Sequence, residues 1–189
     1  MNMLAIEPGM ARVRALYAAL EEDRAFLDTA PLGSPQLAPE AAALIVAEAR
    51  LLDRRQFETW FSLWEPDAVF WVPLQQDNHP SMDQSLLLDD HRRLRERVWR
   101  MHDTSAWALQ PPPQVVRVVG SVEAWSVADD EVIATSAIAI VHERLQKTLR
   151  LTGRQVHRLR RTETGLRIVR KTLLCPESTA GTPHLGWLL

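Results

Sequence analysis

Six histidines stand among 24 aspartates and glutamates, so the first chemistry to weigh is a two-histidine, one-carboxylate iron centre. His79, Asp89, Asp90 and His91 form the one local cluster of that composition. Its spacing suits a metal poorly. The chain has no His-x-x-x-His and no Glu-x-x-His, and Asp89–Asp90 serves more simply as a helix cap. A lone Cys175 excludes an internal disulfide, a cysteine-based zinc site and an iron–sulfur cluster held by two or four cysteines of this chain. No Gly-x-Ser-x-Gly elbow occurs, and the seven glycines form no phosphate-binding loop.

General acid–base chemistry is the remaining option. His91 falls on the apolar stripe of a helix, where an imidazole must be paired or must face a pocket. Asp67 or Asp90 could orient it for proton transfer. His142 and His157, on neighbouring strands, could play the same part. A satisfied core histidine is the commoner outcome for such a position.

Charge is uneven along the chain. The net value of −2 gives no global pull toward nucleic acid or an anionic membrane. Yet Arg144 to Lys171 holds ten Lys or Arg against one acid, Glu163. These basic strands lack the interleaved aromatics that a nucleic-acid surface uses, and arginine is favoured at protein interfaces for its planar, multi-donor head. Trp99 beside Arg95 points the same way. The longest apolar run, near Val132 to Val141, is about half the ~20 residues of a membrane helix. With no secretory apolar run at the start and no disulfide, the expected compartment is the cytoplasm.

The elements that must position these side chains follow from periodicity. Residues 1 to 34 read as a helical arm and a Pro-, Gly- and Ser-containing linker outside a single domain of residues 35 to 189, which ends in a C-terminal tail. A helix starts near Pro39 and runs through "EAAALIVAEARLLD". Asp53 reads as the next N-cap with Gln56 as its capping-box partner. Phe57, Trp60, Phe61 and Trp64 then share one helical face until Pro66 and Asp67 stop it. "AVFWVPL" alternates as a strand. A polar loop leads to a third helix near Asp89, with Leu87, His91, Leu94, Val98 and Met101 as its apolar stripe and Arg95, Trp99 and His102 on another face. After Pro113 come four strands, "QVVRVVGSVEAWSV", "EVIATSAIAIVHERL", "TLRLTGRQVHRLRRT" and "LRIVRKTLLC", with turns at Asp129–Asp130 and Glu163–Thr164–Gly165. Helices followed by long strands predict an α+β fold, a cone of curved antiparallel or mixed sheet wrapped around the helices.

Four stretches carry a resemblance: Glu48 to Pro73, Asp89 to Met101 ("DDHRRLRERVWRM"), Ala106 to Trp125 ("AWALQPPPQVVRVVGSVEAW") and Gly153 to Lys171 ("GRQVHRLRRTETGLRIVRK"). In these the chain resembles the small, or β, subunit of bacterial aromatic-ring-hydroxylating dioxygenases, from about Pro39 to Cys175. The resemblance implies the cone-shaped fold of nuclear-transport-factor-2-like and cystatin-like proteins. It also implies a chain without a catalytic centre or metal of its own. The Rieske 2Fe-2S cluster and mononuclear iron are expected in a large (α) subunit, with which this chain would form an α3β3 hexamer holding a trimer of small subunits. Candidates for subunit contacts are Arg95, Trp99, Arg100, Trp107, Arg117, Arg158 and Arg160.

Overall fold

The computed structural model describes residues 8–34, 36–103 and 111–176. Four helices and six strands follow in the order α1 (Pro8–Thr29), α2 (Ala38–Asp53), α3 (Phe57–Phe61), β1 (Trp64–Pro73), β2 (Ser85–Asp90), α4 (His91–His102), β3 (Gln114–Ser126), β4 (Glu131–Arg144), β5 (Lys147–Thr162) and β6 (Gly165–Leu174). The strands make one mixed sheet in the order β2-β1-β6-β5-β4-β3, in which only β1 and β6 run parallel.

The sheet's inner face closes over α2, α3 and α4. One register row runs across all six strands: Asp89, Phe70, Lys171, His157, Ala134 and Ala124. The next row, Val69, Arg170, Arg158, Ile133 and Trp125, points to the outer face. Trp60 and Trp64 are 0% and 1% exposed on the inner side, packed edge to face with ring centroids 5.4 Å apart. Buried indoles of this kind each remove ~150 to 250 Å² from water, on the order of 4 to 6 kcal/mol as an upper bound.

The alternation in β1 is real, but both faces are buried. Ala68, Phe70 and Val72 join the inner core, while Val69 and Trp71 pack beneath Leu20 of α1. Residues 8–29, read from sequence as part of an outlying arm, are thus tied to the sheet. Asp23 of α1, 2% exposed, accepts bonds from Arg158 and Arg170, and Phe26 meets Trp125 edge to face. The linker also pairs with the sheet edge, through Ser34 N–H to the Ala124 carbonyl and Trp125 Nε1 to the Pro31 carbonyl.

Other local expectations change. The Trp-bearing helix ends at Phe61, so Trp64, Pro66 and Asp67 lie in β1, whose register shifts between Trp64 and Val69. Trp64 is placed by pairing with Ile168, since the parallel contact to β6 outcompetes helix propensity there. Asp53 does not cap α3. It ends α2, and its carboxylate takes the Arg117 N–H at 3.0 Å and Arg117 Nη1 at 2.7 Å. Leu87 and Asp89 belong to β2 instead of a helix, because that segment pairs with β1. Asp90 is the true N-cap of α4, accepting from Arg93 N–H at 2.8 Å.

The four late strands and their turns lie where alternation places them. A further two-residue turn, Leu145–Gln146 with φ of 51° and 60°, joins β4 to β5. Positive φ at both positions is the left-handed geometry that matches strand twist in a tight hairpin.

Candidate functional site

The middle of the inner row holds ionisable groups in an apolar surround. Lys171 Nζ lies 2.8 Å from Glu48 Oε1, and His157 Nε2 lies 3.1 Å from Glu48 Oε2. Trp60 Nε1 donates to Glu48 Oε1 at 3.3 Å, and the ammonium sits 5.2 Å from the Phe70 ring centroid. Glu48 and Lys171 are 2% exposed and His157 is 0% exposed. Glu48 reaches this place because it occupies the buried stripe of α2 with Ala41, Ile45, Ala49 and Leu52.

Protonation follows from this geometry. Burial pushes the Glu48 carboxyl up, but Lys171 and His157 together outweigh that and hold it well below the usual carboxylate range. For His157, burial wins over the neighbouring carboxylate and pulls the ring below its ordinary value. Lys171 is also lowered, by burial first, with Glu48 opposing. The resulting state is a carboxylate and an ammonium beside a neutral imidazole. His157 then donates from Nε2 to Glu48, leaving Nδ1 as an unprotonated nitrogen without a hydrogen-bond partner among the described residues.

Such a centre has acid–base groups, and the described side chains around it are closely packed. Trp60, Trp64, Phe70, Leu94 and Val98 fill the interior at 1% exposure or less. At the mouth, a cavity of about 30 Å³ lies between Leu52, Phe57, Met101, Val115 and Arg117, space for about one water. Among the described residues no group of three His, Cys, Asp or Glu is placed to hold a metal.

Apart from His157, the sequence candidates for acid–base work lie in other surroundings. His91 packs on Phe61 with ring centroids 4.4 Å apart. Asp90 is the α4 cap, and Asp67 faces Arg160 at 3.4 Å. His142 lies near the end of β4, its ring pushed below the ordinary value by burial first, with Arg144 and Arg117 adding to it. Of the histidines weighed from sequence, His157 is brought to an acid, Glu48. Sequence reading missed Glu48 and Lys171. A charged residue on the apolar stripe of α2 was the available signal.

The contact candidates separate by exposure. Trp99 is 67% exposed on α4, near the exposed Arg100. Arg95 stacks over Phe61 at 4.3 Å and reaches Glu58 at 3.4 Å. Arg117 and Arg158 are buried within the chain by Asp53 and Asp23, so neither offers its head group outward. Arg160 is partly exposed among Asp67, Glu65 and Glu131. Trp107 lies outside the described residues.

A profile of the family described as ring hydroxylating beta subunit matches residues 47–180, which include the end of α2, the whole sheet and the Glu48 centre. The chain belongs to that family. The small oxygenase component of the p-cumate 2,3-dioxygenase system of Pseudomonas putida is 32% identical over 135 residues, covering 70% of this chain and 75% of that protein. The small subunit of 2-halobenzoate 1,2-dioxygenase from Burkholderia cepacia is 27% identical over 141 residues, 71% of this chain and 86% of that one. A chain of naphthalene 1,2-dioxygenase superposes with a TM-score of 0.75 at 19% identity, covering 89% of this chain and 94% of its own. That likeness concerns the fold. The sheet therefore carries, in this ring-hydroxylating β subunit, a buried ion pair among closely packed side chains.

Proposed function

We propose that this β subunit is the non-catalytic small subunit of a Rieske-type aromatic-ring-hydroxylating dioxygenase, acting in the cytoplasm to stabilise and assemble a catalytic large subunit. Membership of the β-subunit family across residues 47–180 carries this reading. The large subunit holds the Rieske cluster and the mononuclear iron, and the two chains assemble as α3β3. The interior supports this reading, because the Glu48–Lys171–His157 cluster is packed under tryptophan and its carboxylate is already paired. The exposed α4 face with Trp99, Arg95 and Arg100 is the surface offered to the large subunit, since an indole beside guanidinium groups is the composition of an interface anchor.

The test is co-expression with a tagged large subunit. The expected result is co-purification at equal stoichiometry, iron confined to preparations containing the large subunit, and loss of soluble large subunit when this chain is omitted. Stoichiometric iron on this chain alone, or unaided turnover of an aromatic compound by it, would overturn the proposal.

A further inference from the structure

Helix α1 covers part of the sheet's outer face, over Val69, Trp71, Ile133 and Val156. Beside that covered part, a groove of about 550 Å³ crosses β5, β4 and β3. One register row runs along its floor, from Leu174 through Arg154 and Ala137 to Gly120, with Ala139 next to it. The centre of this floor is poor in side-chain bulk. A Cβ placed on Gly120 would meet nothing within 4 Å, and Val118 at the groove's far side is 63% exposed among the described residues. Gly120 belongs to β3, the edge strand of the sheet. A glycine inside a strand weakens it and often marks the close approach of another group.

The chain itself leads into this groove. β6 ends at Leu174, and Pro176 stands in the groove wall. From there the sequence continues from Glu177 to Leu189 as "ESTAGTPHLGWLL". Glu177, the one acid of that segment, follows directly on Pro176, and the exposed Arg154 in the same groove is the complementary charge. Leu185, Trp187, Leu188 and Leu189 carry the apolar bulk that the floor lacks. Gly181 and Pro183, between these two ends, are turn formers. Reach is ample. The three strand spacings from β6 to β3 make ~14 Å, so one crossing uses about five extended residues and leaves the rest for a return over the floor.

We propose that residues 177–189 form the second layer on this part of the sheet of their own chain, with Trp187 laid over Gly120 and Ala137. An indole above an edge-strand glycine supplies the cover that the strand cannot make for itself, and it brings a large apolar area to a shallow floor. The same residues of a second copy would offer the same contacts. A segment anchored at Pro176 has the advantage, because a short tether holds it at an effective concentration in roughly the millimolar range. The contact requires neither a second copy nor the large subunit, so it stands or falls separately from the function proposed above.

The test uses the full chain alone. Hydrogen exchange, read by mass spectrometry on peptides holding residues 184–189, is expected to show wild-type amides protected about tenfold or more relative to an unfolded chain. Val118→Glu and Gly120→Glu, both at exposed positions, are expected to bring that exchange to within about twofold of the unfolded rate while the far-ultraviolet spectrum stays unchanged. A second measurement locates the contact in the otherwise unaltered chain. Trp187→p-benzoylphenylalanine, irradiated at micromolar concentration, is expected to attach to peptides of β3 or β4 within a single chain. Unprotected exchange in wild type, or protection that survives both glutamate variants, overturns the proposal. Attachment to any other part of the chain overturns it too, and attachment between two chains assigns the groove to a second copy and does the same.

Discussion

Lys171 Nζ and Glu48 Oε1 are 2.8 Å apart with 2% of each side chain exposed, so one ion pair ties the last strand to the second helix through the middle of the core. Removing one partner of a buried pair strands the other charge, which typically costs about 3 to 5 kcal/mol. Lys171→Met, which keeps a flexible apolar stem against Phe70, is expected to lose that much in urea unfolding. Glu48→Gln with Lys171→Met together should recover most of it, because no charge is then left unpaired. Equal instability of the single and double variants would place the effect in packing instead.

Acid should unfold the protein in two stages. The folded His157 resists protonation while the unfolded ring accepts a proton near its ordinary 6.5, so the unfolded state binds more protons and stability falls as pH drops below 6.5. Glu48 stays ionised in the fold while its unfolded carboxyl protonates near 4.5, so a second loss begins there. Each adds a slope of up to about 1.4 kcal/mol per pH unit. Urea midpoints across pH 7 to 4 check this, and His157→Gln should flatten the first stage while sparing the second.

Asp23 of α1 accepts from two sheet arginines, at 2.9 Å from Arg158 and 2.5 Å from Arg170. Asp23→Ala is expected to destabilise the protein by about 3 kcal/mol and to speed amide hydrogen exchange throughout α1. Glu22→Ala, at a side chain 74% exposed, should stay within about 0.5 kcal/mol of wild type. Equal protection of α1 in both variants would show that Leu20 and Phe26 hold the helix by themselves.

Trp99 contributes exposed surface and little core. Trp99→Ala should change thermal stability by less than about 0.5 kcal/mol yet weaken capture of the large subunit by about 2 kcal/mol, some thirtyfold in dissociation constant. A titration with immobilised large subunit reads the effect. Unchanged affinity would remove α4 from the interface.

Much of the scaffold was legible because its signals are local. Strict alternation located β3 to β6, the Asp129–Asp130 and 163–165 turns located two hairpins, and Asp90 before an apolar-striped segment located the start of α4. Signals that competed were misread. Trp64 fits a helical period from Phe57, yet its pairing with Ile168 draws it into β1. "SLLLDD" has too little alternation to announce an edge strand, and forms one because β1 offers a free edge.

By itself, then, the sequence determined the α+β class, the run of long strands and the motifs shared with ring-hydroxylating β subunits, since these depend on residues a few positions apart. Only the tertiary structure decided that Glu48 would meet His157 and Lys171, partners 109 and 123 residues away. Those meetings are fixed by the β5–β6 register and by how α2 lies across the sheet, and no spacing along the chain encodes either. The same holds for Asp53 and Asp23, which look like ordinary helix carboxylates until the fold brings Arg117, Arg158 and Arg170 to them.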